Sequence, residues 1–291
     1  MVPRYGGVLP MEGTVAAFSK GRQIMKSQII PLTNDQIVEL APAAGAINPH
    51  DTVSDRYSFV PTIEAVDLLR SAGWQPVHVK QSGTRKKDRN GYQKHIIRFM
   101  QGALATDQER VDLVMTNSHD RGCAFQLCAS IWRKICGNGL MVSSKLFNFS
   151  HRHVGFDITA FLDSAYQIAE GAGDIAVQVN DLKAIDLSPN EKGVFAIAAH
   201  KLVYEDIEKA PILPVQLLEE RRYDDQGNDL WTTFNVVQEN IMKGGIYGSK
   251  RNANGHIRRV RTRPVKSIDR DVKLNKALWV LTEGMANLKG R

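Results

Sequence analysis

Residues 75–100 read QPVHVKQSGTRKKDRNGYQKHIIRFM. Val77 and Val79 alternate with His78 and Lys80, the period of a half-buried strand. The segment YQKHIIRFM, residues 92–100, returns as a second strand. The polar stretch GTRKKDRNG between them ends in Asn90-Gly91, a pair suited to a tight turn. An antiparallel hairpin is therefore predicted, with a third strand over VDLVM, residues 111–115.

Outward from the hairpin the pattern changes to helical. Ile63, Val66, Leu68, Leu69 and Ala72 share a helix face, Pro61 suits its entrance and Gly73 its end. In DRGCAFQLCASIWRKICGNG the apolar residues Ala124, Leu127, Cys128, Ile131 and Ile135 recur at helical spacing. A helix is predicted over 121–136, stopped at Gly137 or Gly139, with Asn138 as a left-handed exit residue. Further helices are predicted over 158–170, with Asp157 as cap, and from LSPNEKG onward. There Ser188 caps, Pro189 takes the first helical position and Glu191 completes a capping box. IAVQV fits either class, whereas LWTTFNVVQENIM and LNKALWVLTEGMANL are both spaced as helices. Residues 1–50, rich in Gly, Pro and Ala, are read as an N-terminal arm with a short helix over 35–40 that reaches a neighbouring subunit. The fold class expected is α+β: an antiparallel β-hairpin sheet packed with helices, in a single domain over 51–291.

The formal net charge is +7, unevenly spread. Residues 243–273 hold ten Lys/Arg against two Asp, and residues 80–98 hold seven against one. Residues 204–229 invert this, with eight acids and three bases. Blocks of like charge also occur as plain solvated surface, but two basic blocks beside glycine turns point to a polyanion groove. The segment at about 243–273 is read as a basic excursion from the domain, and Ile257-Arg258-Arg259-Val260-Arg261 within it alternates as a strand. No run is long and apolar enough to span a bilayer. The N-terminus does not read as a secretory signal, and three clustered thiols, Cys123, Cys128 and Cys136, fit a reducing cytoplasm.

Catalytic signatures are weak. Cys123, Cys128 and Cys136 with His119 would supply four zinc ligands, but their spacing matches no short knuckle. Buried small hydrophobes are the plainer account. His151 and His153, two apart, would face one way on a strand and suit phosphate, metal or solvent. Asp174 with Asp181-Leu182-Lys183 is the nearest approach to a metal-dependent nuclease, a pattern common by chance. Neither a P-loop nor a dinucleotide-binding glycine turn is present. No cofactor is expected.

The segments CAFQLCASIWRKICGNGLMVSS, FVPTIEAVDLLRSAGWQPV and RPVKSIDRDVKLNKALWVL resemble a family of phage, plasmid and prophage proteins known as domain of unknown function 932. Lys134-Ile135-Cys136-Gly137-Asn138-Gly139 is the most specific part of the likeness, which spans most of 50–285. The resemblance implies business with DNA replication, recombination or host defence. The element order is also similar to that of Rad52-type single-strand annealing proteins, which form rings or filaments on DNA.

The function expected is non-enzymatic binding of single-stranded DNA and ATP-independent strand annealing by a homo-oligomer, without membrane association. Phosphate contacts are assigned to Arg258, Arg259, Arg261, Arg263, Lys266, Lys250 and Arg251, and at the hairpin tip to Lys86, Lys87 and Arg89. Tyr92 and Tyr247 are the stacking candidates. Rival classes are a metal-dependent nuclease, a duplex-binding regulator, and a mobile-element protein that binds a host defence protein. The acidic 204–229 stretch is expected to touch a neighbour's basic surface.

Overall fold

The computed structural model describes residues 30–105, 109–133, 138–141, 148–251 and 254–290. The chain divides into Met1–Ile30 and the compact unit Pro31–Arg291, which holds every element described below. The predicted arm is outside the described residues up to 29; residues 31–50 belong to the compact unit. Helix α1 (Asn34–Leu40) starts at a Thr33–Gln36 capping box and leads into a 3₁₀ turn, Pro42–Gly45. Ile37, Ala43 and Ala44 are buried there.

After α2 (Thr62–Ser71) come β1 (Gln75–Gln81), β2 (His95–Ala105), β3 (Glu109–Asn117), β4 (Phe125–Arg133), β5 (Asn138–Met141) and β6 (Asn148–His151). They form one antiparallel sheet in the order β1-β2-β3-β4-β5, with β6 also paired to β4. The fold is thus α+β with an antiparallel sheet, as expected. The segment read as a helix over 121–136 is instead the strand β4, so far as it is described. Phe125, Leu127, Ala129 and Ile131 all point to one face and are buried; Cys128 and Ser130 are buried on the other. A strand covered on both faces loses its alternation, and apolar residues three and four apart then imitate a helix. Asn138 pairs with Arg133 as the first residue of β5, so it is not a helix exit.

Helices α3 (Ile158–Glu170), α4 (Ala172–Lys183), α5 (Pro189–Val203), α6 (Leu230–Lys243) and α7 (Ile268–Leu288) complete the core. The Asp157 cap of α3 and the Ser188–Glu191 capping box of α5 form at the predicted positions. IAVQV lies within α4. One sheet face carries Ile97, Phe99, Leu113, Phe125 and Leu127 into the core with Leu69 of α2 and Phe161 of α3. Phe125 and Phe161 meet edge to face at 5.0 Å. Each such fully buried side chain contributes about 1.5–3 kcal/mol. The opposite face packs Ile96, Val114 and Cys128 against Val272 of α7. Lys80 of β1 pairs with Asp271 at 3.6 Å, and Lys94 pairs with Asp269, which seats the first turn of α7 on the β1–β2 end of the sheet.

Between α6 and α7 the basic excursion folds as a two-stranded ribbon, β7 (Tyr247–Arg251) with β8 (Ile257–Arg261). Among the described residues no helix is long and apolar enough to cross a membrane.

Candidate functional site

The ribbon register sets which side chains share a face. Tyr247 faces Arg261, Ser249 faces Arg259 and Arg251 faces Ile257; Gly248–Val260 and Lys250–Arg258 alternate with them on the reverse. The reverse face is pressed onto the body at one end. Ser249 donates its amide to the Pro211 carbonyl at 2.8 Å, and a Cβ on Gly248 would stand 1.9 Å from that same oxygen. Tyr247, Arg251, Arg259 and Arg261 are left exposed on the outer face. Lys250, Arg251, Arg258, Arg259 and Arg261 take part in no ion pair among the described residues. The Arg261 guanidinium lies 5.2 Å from the Tyr247 ring centroid and donates to the Gly245 carbonyl, so it holds the tyrosine in place. Glu219 and Glu220 line the same cavity as Tyr247, which leaves the distal half of the ribbon the more cationic.

Gly248 makes the docking testable. Gly248→Ala is expected to lift the ribbon off Pro211 while the core stays folded. Tryptic cleavage within the ribbon should rise at least about tenfold, the factor given by roughly 1.4 kcal/mol of local opening. Unchanged cleavage would contradict the close approach.

Downstream of β8, Arg263 and Lys266 line a cavity of about 370 Å³ with Arg270 and Tyr204. Lys266 is three residues from Asp269, hence within about 10 Å of it along the chain. Because Asp269 pairs with Lys94, the root of the ribbon and the base of the other basic segment meet at the start of α7. At that hairpin tip Lys86 and Lys87 are exposed, but Arg89 pairs with Asp120 at 3.3 Å. Tyr92 is half-buried, edge-on to His50 at 5.1 Å. The structure thus leaves Lys86 and Lys87 open and gives Arg89 and Tyr92 partners of their own.

The β1–β2 and β3–β4 loops and the exit of β6 gather at one end of the sheet, together with residues 50–61. Four of the eight histidines lie buried there: His50, His95, His119 and His153. The hydrogen bonds dictate the tautomers of His95 and His119. The Gln93 carbonyl must accept from His95 Nδ1–H, at 3.0 Å, so His95 Nε2 is an acceptor. The Thr62 hydroxyl therefore donates to His95 Nε2, at 2.8 Å. Its oxygen accepts from Asn117 at 3.0 Å and from His119 Nε2–H at 3.1 Å. His119 Nδ1 is then a lone-pair acceptor without a partner. Burial lowers the His95 pKa to about 4 and that of His119 to about 3, the latter helped by His95 and His153. Periodicity could not find this cluster, because its members come from separate loops.

These buried imidazoles make folding stability depend on pH. His95 and His119 titrate near 6.5 once unfolded. Between pH 6.5 and 4 the unfolded chain binds protons that the folded chain refuses, so stability falls on acidification. Each histidine contributes up to about 1.4 kcal/mol per pH unit. Asp112 and Asp271, raised by burial, oppose this in the acid part of the window. Urea midpoints should drop between pH 7 and pH 5; a flat profile would refute the neutral-histidine assignment.

The remaining candidates have structural settings. His151 ends β6 and bonds Ser164 at 3.1 Å, whereas His153 lies beyond the strand and stacks on Tyr57, so the two do not share a face. Cys123 and Cys128 are free thiols with raised pKa from burial, and Cys136 lies outside the described residues. No group of three or more His, Cys, Asp or Glu among the described residues could hold a metal ion. Lys183 pairs with Glu109 at 3.0 Å. In the acidic stretch, Asp225 is buried against Arg133 at 2.8 Å and Arg222 at 3.2 Å, and so serves this chain's own fold.

Two curated relatives from Escherichia coli (strain K12) are each 32% identical to this chain. The UPF0380 protein YafZ matches over 255 residues, 88% of this chain and 92% of the relative. The UPF0380 protein YfjQ matches over 253 residues, 87% and 91%. No solved structure matches. The family model described as "Domain of unknown function (DUF932)" matches residues 49–279, which takes in the whole sheet, the polar sheet end and the ribbon, and the chain belongs to that family.

Proposed function

We propose that this protein binds single-stranded DNA through the outer face of the β7–β8 ribbon and promotes strand annealing without ATP. The observation that carries the reading is the row Arg251, Arg259 and Arg261 beside exposed Tyr247, with no carboxylate paired to any of these arginines among the described residues. Phosphates would lie along the guanidiniums and a base would stack on the open face of Tyr247. Lys250 and Arg258, exposed on the reverse face, add charge to the ribbon. Lys266, Arg263, Lys86 and Lys87 extend the cationic path toward the β1–β2 loop. Assembly of several copies on one strand would sum many weak contacts.

A second reading has its own observation: a two-stranded basic ribbon has the dimensions to enter the major groove of a duplex. Both are tested by gel shift of single- and double-stranded oligonucleotides from about 50 to 300 mM salt. Five phosphate contacts on a single strand give a log–log salt slope of about 3 to 4. Preference for the single strand, with faster pairing of complementary strands in the absence of ATP, supports the first reading; preference for the duplex supports the second. No shift of either form at 50 mM salt would end both.

A further inference from the structure

At the polar end of the sheet, Ser54, Tyr57, Arg121, Cys123, Arg152 and His153 line a cleft of about 260 Å³. We propose that this cleft binds a phosphate monoester, the group carried by a nucleotide or by a phosphorylated strand end, at a site separate from the ribbon.

His153 lines the cleft. It is more than nine-tenths buried, and its ring stacks on Tyr57 with centroids 4.6 Å apart and planes 22° apart. Neither ring nitrogen has a hydrogen-bond partner. The carbonyls of Ser58 and Cys123 nevertheless lie beside the ring and favour its protonated form. A neutral imidazole has one N–H, so it cannot donate to two carbonyls; an imidazolium can. Burial works against that charge, and His153 is held neutral at rest. An anion in the cleft would supply the missing compensation.

The charges around the ring suit such a ligand. The titratable and charged groups about the cleft include Tyr57, Lys94, His119, Asp120, Arg121, Cys123, Arg152 and Asp269. The carboxylates among them are Asp120, engaged by Arg89 at 3.3 Å, and Asp269, engaged by Lys94. Arg121 and Arg152 are exposed on the rim and join no ion pair among the described residues. Arg121 also has φ 63°, the sole non-glycine residue with positive φ among those described. Backbone held in the left-handed region at a cleft is a recurrent feature of ligand sites. The two rim guanidiniums offer donors to the oxygens of a phosphate dianion, and the protonatable imidazole offers compensating charge. The volume is below the usual range for a drug-sized ligand and suits a phosphoryl group with its sugar.

The test is titration of the full chain with AMP, adenosine and inorganic phosphate, followed by calorimetry and by the His153 imidazole signals in NMR. AMP should bind at least tenfold more tightly than adenosine and shift His153 toward its protonated signature. The variant R121G/R152Q should lose at least tenfold in AMP affinity. It should keep its thermal midpoint, because glycine adopts the left-handed region freely. A ribbon variant lacking Arg251, Arg259 and Arg261 should bind AMP as the parent does, which separates this site from the ribbon. Equal binding of AMP and adenosine, or undiminished AMP affinity in R121G/R152Q, overturns the proposal. Oligonucleotides with a 5′-phosphate and a 5′-hydroxyl identify the source. A preference for the phosphate that R121G/R152Q abolishes assigns the site to strand ends. AMP binding lost in that variant without any end preference assigns it to free nucleotides.

Discussion

Changing Arg251, Arg259 and Arg261 together to glutamine is expected to weaken single-strand binding about 100-fold at 0.1 M salt and to lower the salt slope by about 2. The three share the outer ribbon face by register. Each contact with a single-stranded phosphate releases about 0.7 of a counterion, so three lost contacts remove both quantities together. Glutamine keeps much of the aliphatic stem, and the residues are exposed, so the fold should be unaffected. Affinity measured at three salt concentrations distinguishes this from a packing defect, which would lower affinity without changing the slope. Retention of both parent affinity and slope would remove the ribbon from the interface.

Asp112→Ala is expected to cost about 3–5 kcal/mol of folding stability, a large fraction of the roughly 5–15 kcal/mol typical of a domain. Asp112 is fully buried in β3, on the sheet face that α7 covers. Arg110, two residues earlier on the same face, donates to both of its oxygens, through Nε to Oδ1 and through Nη2 to Oδ2 at 2.9 Å. Arg98 of β2 approaches Oδ2 at 3.2 Å. Burial pushes the carboxyl pKa up against the pull of both guanidiniums, and it lowers that of Arg98 to about 10. Without the carboxylate the Arg98 and Arg110 guanidiniums lose the buried anion they share. Urea unfolding measures the loss; less than about 1 kcal/mol would mean that the arginines reach solvent instead. Replacing all three residues by apolar ones of similar volume should recover most of the stability, because the triad's desolvation cost disappears with it.

The legibility of each part of the molecule tracks the locality of its physics. The Ser188-Pro189-Glu191 start of α5 and the Asp157 cap of α3 are readable because a cap is a contact between near neighbours in the chain. The β1–β2 hairpin is readable because its strands carry their own alternation and turn. β4 carries a helix-like pattern instead, since its second face is covered by Val272, about 140 residues later in the chain. The basic ribbon is legible as charge and alternation, but not its orientation, which Pro211 sets by its contact with Gly248 and Ser249.

Fold class, most helix boundaries, the strand character of the ribbon and the one-sided charge can all be read from the chain alone, because they depend on residues within a few positions of each other. Which cations remain unpaired and which aromatic ring stays open emerge in three dimensions, as does the meeting of Thr62, His95, His119, Tyr57 and His153 at one end of the sheet. Burial and ion pairing are properties of groups brought together across the chain, and no local pattern encodes which groups those will be.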